Sequence, residues 1–177
     1  MKRLLMTLLT VCLSLPTWAH SPALTQLLTE LNTQYQRDDL LPIDIKDKAD
    51  ISKLPYFLLH IDEADTPEKL KLDAYLTGLH NGIYDSVNMQ RQMNAPTWFC
   101  MRDTMIMNPK RHPDFLKELI WSTLEKVANN DPEKYRRDNY AGAFMGSING
   151  LVLYGLQTTY PCFDPIPKQL QFKSFKY

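Results

Sequence analysis

Residues Asn139–Cys162 read NYAGAFMGSINGLVLYGLQTTYPC, a stretch without one charged side chain and with glycines at 142, 146, 150 and 155. A run this free of charge has to lie away from water, so its placement decides the fold. A membrane-spanning helix needs about 20 predominantly apolar residues. Here Asn139, Ser147, Asn149, Gln157, Thr158 and Thr159 dilute the apolarity. The stretch also ends in a cysteine suited to pair with Cys100, which follows a polar segment. It is therefore read as a buried central helix of an all-α domain. Gly142, Gly146 and Gly150 then share one helix face at i, i+4 and i+8, a groove that lets another helix approach closely.

The segments around it supply such neighbours. Ser21-Pro22 combines an N-cap with a first-turn proline, and Leu24, Leu27, Leu28, Leu31 and Tyr35 recur at helical spacing over about 22–36. Thr66-Pro67-Glu68 starts a second helix over about 67–91. Its stripe is Leu72, Leu76, Leu79, Ile83 and Val87, and Gly78 and Gly82 sit beside it. Each glycine costs about 1 kcal/mol of helix stability relative to alanine, which predicts a close helix neighbour as compensation. The faces at 78/82 and 142/146/150 are expected to meet, within one molecule or across a two-fold homodimer. Pro113 and Asp114 open a helix carrying Phe115, Leu116, Leu119, Ile120, Leu124 and Val127, and Asn129–Glu133 ends it and begins the next. Asp38–Ile61, punctuated by Pro42 and Pro55, is expected to be coil with one short helical turn. Residues 38–73 hold ten acids and five lysines. The sum is a compact bundle of about four to six helices.

Three features of the N-terminus predict an exported chain. Lys2 and Arg3 precede an apolar run, Leu4–Leu15, which leads through Pro16-Thr17-Trp18 to the small residue Ala19. This is the pattern of a signal peptide over 1–19, cut after Ala19. The run is too short to span a bilayer, so no membrane span is expected after cleavage. The chain has 20 basic and 20 acidic residues. Losing Lys2 and Arg3 leaves a small acidic excess, which argues against a nucleic-acid partner. Cys12 leaves with the leader, and the two cysteines that remain in an exported domain, Cys100 and Cys162, predict one disulfide.

The mature chain carries no recognisable catalytic set. His20, His60, His80 and His112 lie in four different segments, and no paired His or Cys spacing marks a metal site. Gly146-Ser147-Ile148-Asn149-Gly150 puts its serine one place away from a hydrolase elbow. No phosphate loop is present, so neither an enzyme nor a cofactor is expected. Two loops stand out as protein-contact surfaces. One carries Asn88, Gln90, Arg91, Gln92 and Asn94 ahead of Trp98; the other is the polar tip Asn129, Asn130, Asp131 and Glu133. For Trp98 and Phe99 beside Cys100, two readings stand: a cover over the disulfide, or an aromatic anchor for a partner.

The order of features from about Leu70 to Cys162 has a family likeness. A helix contains Tyr75-Leu76-Thr77-Gly78, a loop ends in Phe99-Cys100, Asp131-Pro132-Glu133 precedes Arg136, and a helix rich in small residues closes on Tyr160-Pro161-Cys162. This resembles the Rap/Tai family of type VI secretion immunity proteins. The resemblance implies a small helical periplasmic protein that binds a secreted peptidoglycan amidase and blocks its active-site cleft, and some members act as dimers. The organisation expected is a leader over 1–19, an N-terminal helix and acidic extended segment over 20–66 packed on the domain, a helical immunity-like domain over 67–162, and a tail over 163–177 laid on the surface or disordered. The alternative function is a periplasmic acid-stress chaperone, or another non-enzymatic periplasmic binding protein, with titration of the acidic 38–73 region as its trigger.

Overall fold

The uncharged stretch is not one helix. In the computed structural model, which describes residues 20–95, 97–101 and 104–177, the chain leaves helical geometry at Gly146 (φ −55°, ψ 127°) and Ser147 (φ −103°, ψ 142°). The predicted leader over 1–19 lies outside the described residues. At the break the backbone pairs with a distant segment. Leu54 N donates to Gly146 O at 2.7 Å, and Ile148 N donates to Ser52 O at 2.8 Å. The Ser147 hydroxyl then accepts from Gly150 N at 3.0 Å and caps the next helix. Asn139–Cys162 is thus divided between helix α6, Glu133–Met145, and helix α7, Ile148–Thr159.

Helix α6 carries a second break. Arg137 is extended, and Asp138, Asn139 and Tyr140 follow with φ of 52°, 54° and 67°. Asp and Asn enter this left-handed region readily; for a tyrosine the conformation costs roughly 1–2 kcal/mol. The turn folds the chain back on itself, so that a Cβ at Gly142 would stand 2.4 Å from the Lys134 carbonyl oxygen. Gly142 serves this close return rather than a neighbouring helix. The predicted shared face of Gly142, Gly146 and Gly150 is lost, because three glycines separated by a helix break no longer form one stripe.

The other helices in chain order are α1 (Pro22–Tyr35), α2 (Pro42–Ala49), α3 (Leu54–His60), α4 (Pro67–Gln92) and α5 (Phe115–Asn130). The expected caps hold. Ser21 Oγ accepts from Leu24 N at 3.1 Å, and Thr66 Oγ1 accepts from Lys69 N at 3.2 Å. The expected coil over 38–61 is instead α2 and α3. Pro42 and Pro55 occupy first-turn positions, where the missing N–H costs nothing and the fixed φ favours a start.

Helix α5 is the centre. Leu116, Ile120 and Leu124 are buried, with α7 on one side and α1 on another. From α7, Leu151, Val152 and Leu156 are buried; from α1, Leu24, Leu27, Leu31 and Tyr35 are fully so. Leu54 and Phe57 of α3 join the same core, so segment 20–66 belongs to the bundle interior. Each such side chain contributes about 1.5–3 kcal/mol on burial. Where α5 meets α7, a Cβ at Gly155 would stand 2.2 Å from Thr123 Oγ1. This is the glycine that a helix neighbour requires. Gly78 and Gly82 on α4 meet nothing within 4 Å, so the expected encounter of the two glycine faces does not occur within the molecule.

Candidate protein-contact surface

The first predicted contact segment is largely helical. Asn88, Gln90, Arg91 and Gln92 form the end of α4 rather than a loop. Arg91 donates to the Met101 carbonyl. Asn94 follows with a positive φ of 50° and is exposed. Ala95 N donates to Gln90 O at 2.8 Å and turns the chain off the helix. Exposed Met89 and Met93 stand on the same helix end, at 62% and 72%.

The disulfide fixes what comes next. Cys100 and Cys162 are joined, with Cα atoms 4.7 Å apart, and Cys100 N donates to Tyr160 O at 2.7 Å. Phe99 points into the core, while Trp98 is half-buried, edge-on to Phe99 with centroids 4.6 Å apart. Trp98 thus sits two residues before the staple with part of its surface open to solvent, while Cys100 itself is exposed.

The second segment divides. Asn129, Asn130 and Glu133 are exposed, as a polar tip requires. Asp131 is only 8% exposed. Lys176 Nζ donates to its Oδ1 at 2.6 Å, and Arg137 lies 3.5 Å from the same oxygen. Of the four residues expected on this tip, Asp131 is committed inside the molecule. Behind it, Arg136 holds Glu30 of α1 at 2.7 and 3.0 Å, and this guanidinium hydrogen bond lowers the Glu30 carboxyl below its ordinary range. Lys134 is lowered for a different reason, because burial disfavours its charged ammonium.

The tail was expected on the surface or disordered; it lies on the surface, and what sequence reasoning missed is where it reaches. Residues 163–177 run over α7 and reach both contact segments. Phe172 stands edge-on to Trp98 at 6.3 Å, and Lys176 holds Asp131. Phe175 stacks on Tyr154 with centroids 4.3 Å apart, beneath the Lys134 ammonium at 3.9 Å. Tyr177 donates to Gln157 Oε1 at 2.5 Å. The available signal was the alternation of aromatic and basic residues in Phe172-Lys173-Ser174-Phe175-Lys176-Tyr177, which suits a strap laid over rings and acids.

Among the described residues, no group of three or more His, Cys, Asp or Glu side chains is placed to hold a metal ion, and no helix is long and apolar enough to cross a membrane. His80 is buried, its Nε2 2.8 Å from the Met107 carbonyl and its ring 5.7 Å from Phe115. Burial pulls its pKa down, against the opposing pull of that hydrogen bond. The chain was compared with protein-family models, curated proteins and solved structures, and none matches.

Proposed function

We propose that the chain is an exported immunity protein that binds a secreted peptidoglycan amidase of type VI secretion and blocks its active-site cleft. The observation that carries this reading is the stapled corner: a disulfide between Cys100 and Cys162 that holds Trp98 half-exposed, beside the exposed Asn94, Met89 and Met93. A rigid aromatic on a fixed corner is an efficient anchor, because little conformational freedom is lost when a partner closes over it. Exposed Asn129, Asn130 and Glu133 offer polar contacts of the kind found at an interface rim. The family resemblance supplies the class of partner, and the leader supplies the periplasmic location.

The test is capture of partners by the disulfide-bonded protein from its source organism, followed by assay of the captured hydrolase. One stoichiometric hydrolase, inhibited on binding and released by Trp98→Ala or Glu133→Lys with the helix signal intact, supports the reading. Many weak partners that increase at acid pH would favour the acid-stress chaperone. A single hydrolase that binds every such variant as tightly as wild type would leave the inhibitor reading in place and put the contact on another face.

A further inference from the structure

Helix α2 is built inside out. Its one buried side chain is Asp47, 8% exposed and 3.7 Å from the Lys53 ammonium. Leu41 at its start and Ile43 and Ile45 within it are 62%, 56% and 56% exposed. A surface helix ordinarily turns its apolar stripe toward the core and its charges outward. Here the reverse holds, and Leu41 and Ile45 stand four residues apart on one outward face.

Ile45 of that face lines a cleft, and Leu41 stands one turn away outside its lining. Between α2, α3 and the first turns of α4 lies a depression of about 1200 Å³. Leu40, Ile45, Ile51, Tyr56 and Leu59 give it an apolar lining. Asp50, Glu63 and Glu68 stand around it, against Lys48 and Lys71. Charges of both signs have neighbours: Lys48 donates to the Tyr35 carbonyl at 2.6 Å, Lys71 stands 3.9 Å from Glu68, Glu63 accepts from Thr66 and lies 3.0 Å from His60, and Asp50 accepts from Ser52; three carboxylates against two lysines leave the rim with a negative excess. The surrounding sequence has the same sign. Residues 38–73 hold twice as many acids as lysines, ten against five, whereas the rest of 20–177 has more basic than acidic residues.

Exposed apolar side chains beside an excess of negative charge favour an occupant with apolar groups and positive charge. We propose that this cleft docks a cationic amphipathic segment of a protein partner, with its apolar side chains against Ile45 and the lining around it, extending over Leu41 at the edge, and its lysines or arginines toward Glu63 and Glu68. The surface is built from different elements than the corner at Trp98 and the tip at 129–133, so the proposal does not depend on the inhibitor reading.

The test uses the disulfide-bonded protein and three labelled synthetic peptides: an amphipathic leucine–lysine helix, a leucine–glutamate helix of the same pattern, and a lysine–serine peptide without apolar residues. Fluorescence anisotropy reads binding. The leucine–lysine helix alone is expected to bind, more weakly as salt rises, and Ile45→Asp and Leu41→Asp should each weaken it at least about tenfold, a difference of about 1.4 kcal/mol. Both positions are exposed; Ile45→Ser serves in place of any variant that loses its helix signal. Equal binding of the leucine–glutamate helix, binding unaffected by the substitutions, or no binding at all would overturn the proposal. So would concentration-dependent self-association that Ile45→Asp abolishes, since the occupant would then be a second copy of this chain.

Discussion

Replacing helix glycines by alanine should change stability in opposite directions at different positions, and the structure fixes the sign at each. At Gly155 the new Cβ would meet Thr123 Oγ1 at 2.2 Å and Leu119 Cδ1 and Cγ at 3.2 Å. Thr123 has no room to retreat: it is fully buried, and its hydroxyl donates to Leu119 O at 2.7 Å. A contact this short, against a side chain that cannot retreat, falls in the upper part of the overpacking range, roughly 2–3 kcal/mol, and the better helix propensity of alanine returns about 1, so Gly155→Ala should lose about 1–2 kcal/mol. At Gly78 and Gly82 nothing lies within 4 Å, so only the propensity gain remains, about 0.5–1 kcal/mol each. In a domain of this size 1 kcal/mol moves Tm by about 2–4 °C. Urea and thermal unfolding followed by far-UV circular dichroism would read all three variants. Pairing Gly155→Ala with Thr123→Ala should recover part of the loss, because the clashing oxygen is removed. Additive losses, or a Gly155→Ala variant as stable as wild type, would refute the close crossing of α5 and α7. Destabilisation by Gly78→Ala or Gly82→Ala would show that α4 has a close neighbour in solution.

Reducing Cys100–Cys162, which closes a loop with sequence separation 62, should cost about 4 kcal/mol by the chain-entropy relation; an unchanged melting curve with reduction confirmed by mass would remove the staple from the account. Stability should also fall on acidification. The His80 pKa is lowered in the folded state by burial, so the unfolded chain binds more protons once pH drops below about 6.5, and stability declines until pH passes below the folded value. Denaturation midpoints at neutral and mildly acid pH should therefore diverge in wild type and diverge less in His80→Gln; equal slopes in the two proteins would exclude this histidine. The Glu30 carboxyl, lowered by Arg136, contributes in the same direction at lower pH, below the ordinary carboxylate range, and Arg136→Ala should reduce that part of the acid loss. Cutting the chain after Cys162 should destabilise it and shift the Trp98 emission to longer wavelength, since Phe172 leaves the indole more open to water; an unaltered midpoint would show that the strap contributes little.

The helices whose starts are written in side chains were legible. Ser21-Pro22, Thr66-Pro67 and Asp114 each place a polar residue at a helix boundary, and the helices begin there. Helices α2 and α3 were not, because a proline opening a helix and a proline breaking one look alike until the residues after it are seen to pack. The division at Gly146 depends on Ser52 and Leu54, about ninety residues earlier in the chain, and no local pattern announces so remote a partner. The same holds for the candidate surface. Asn129, Asn130 and Glu133 are exposed, as a polar tip suggests; Asp131 is not, because Lys176 reaches back over it. The inverted face of α2 stayed hidden for a related reason: alternation in Leu41–Lys46 does not tell which side a short helix turns outward.

The strap and the first helix together set an order of events during synthesis. Ser21 is held by Glu125 through its backbone N–H and hydroxyl, and Glu30 by Arg136, so these polar ties of α1 close only after roughly a hundred more residues have emerged. At the other end, Tyr154 and Gln157 wait for Phe175 and Tyr177. The ties that bind α1 and α7 to distant segments therefore close late, after residues 125–177 are made. The same design makes quality control strict: a product missing even these final residues leaves α7 uncovered along one side, and proteases would find that unfinished form first.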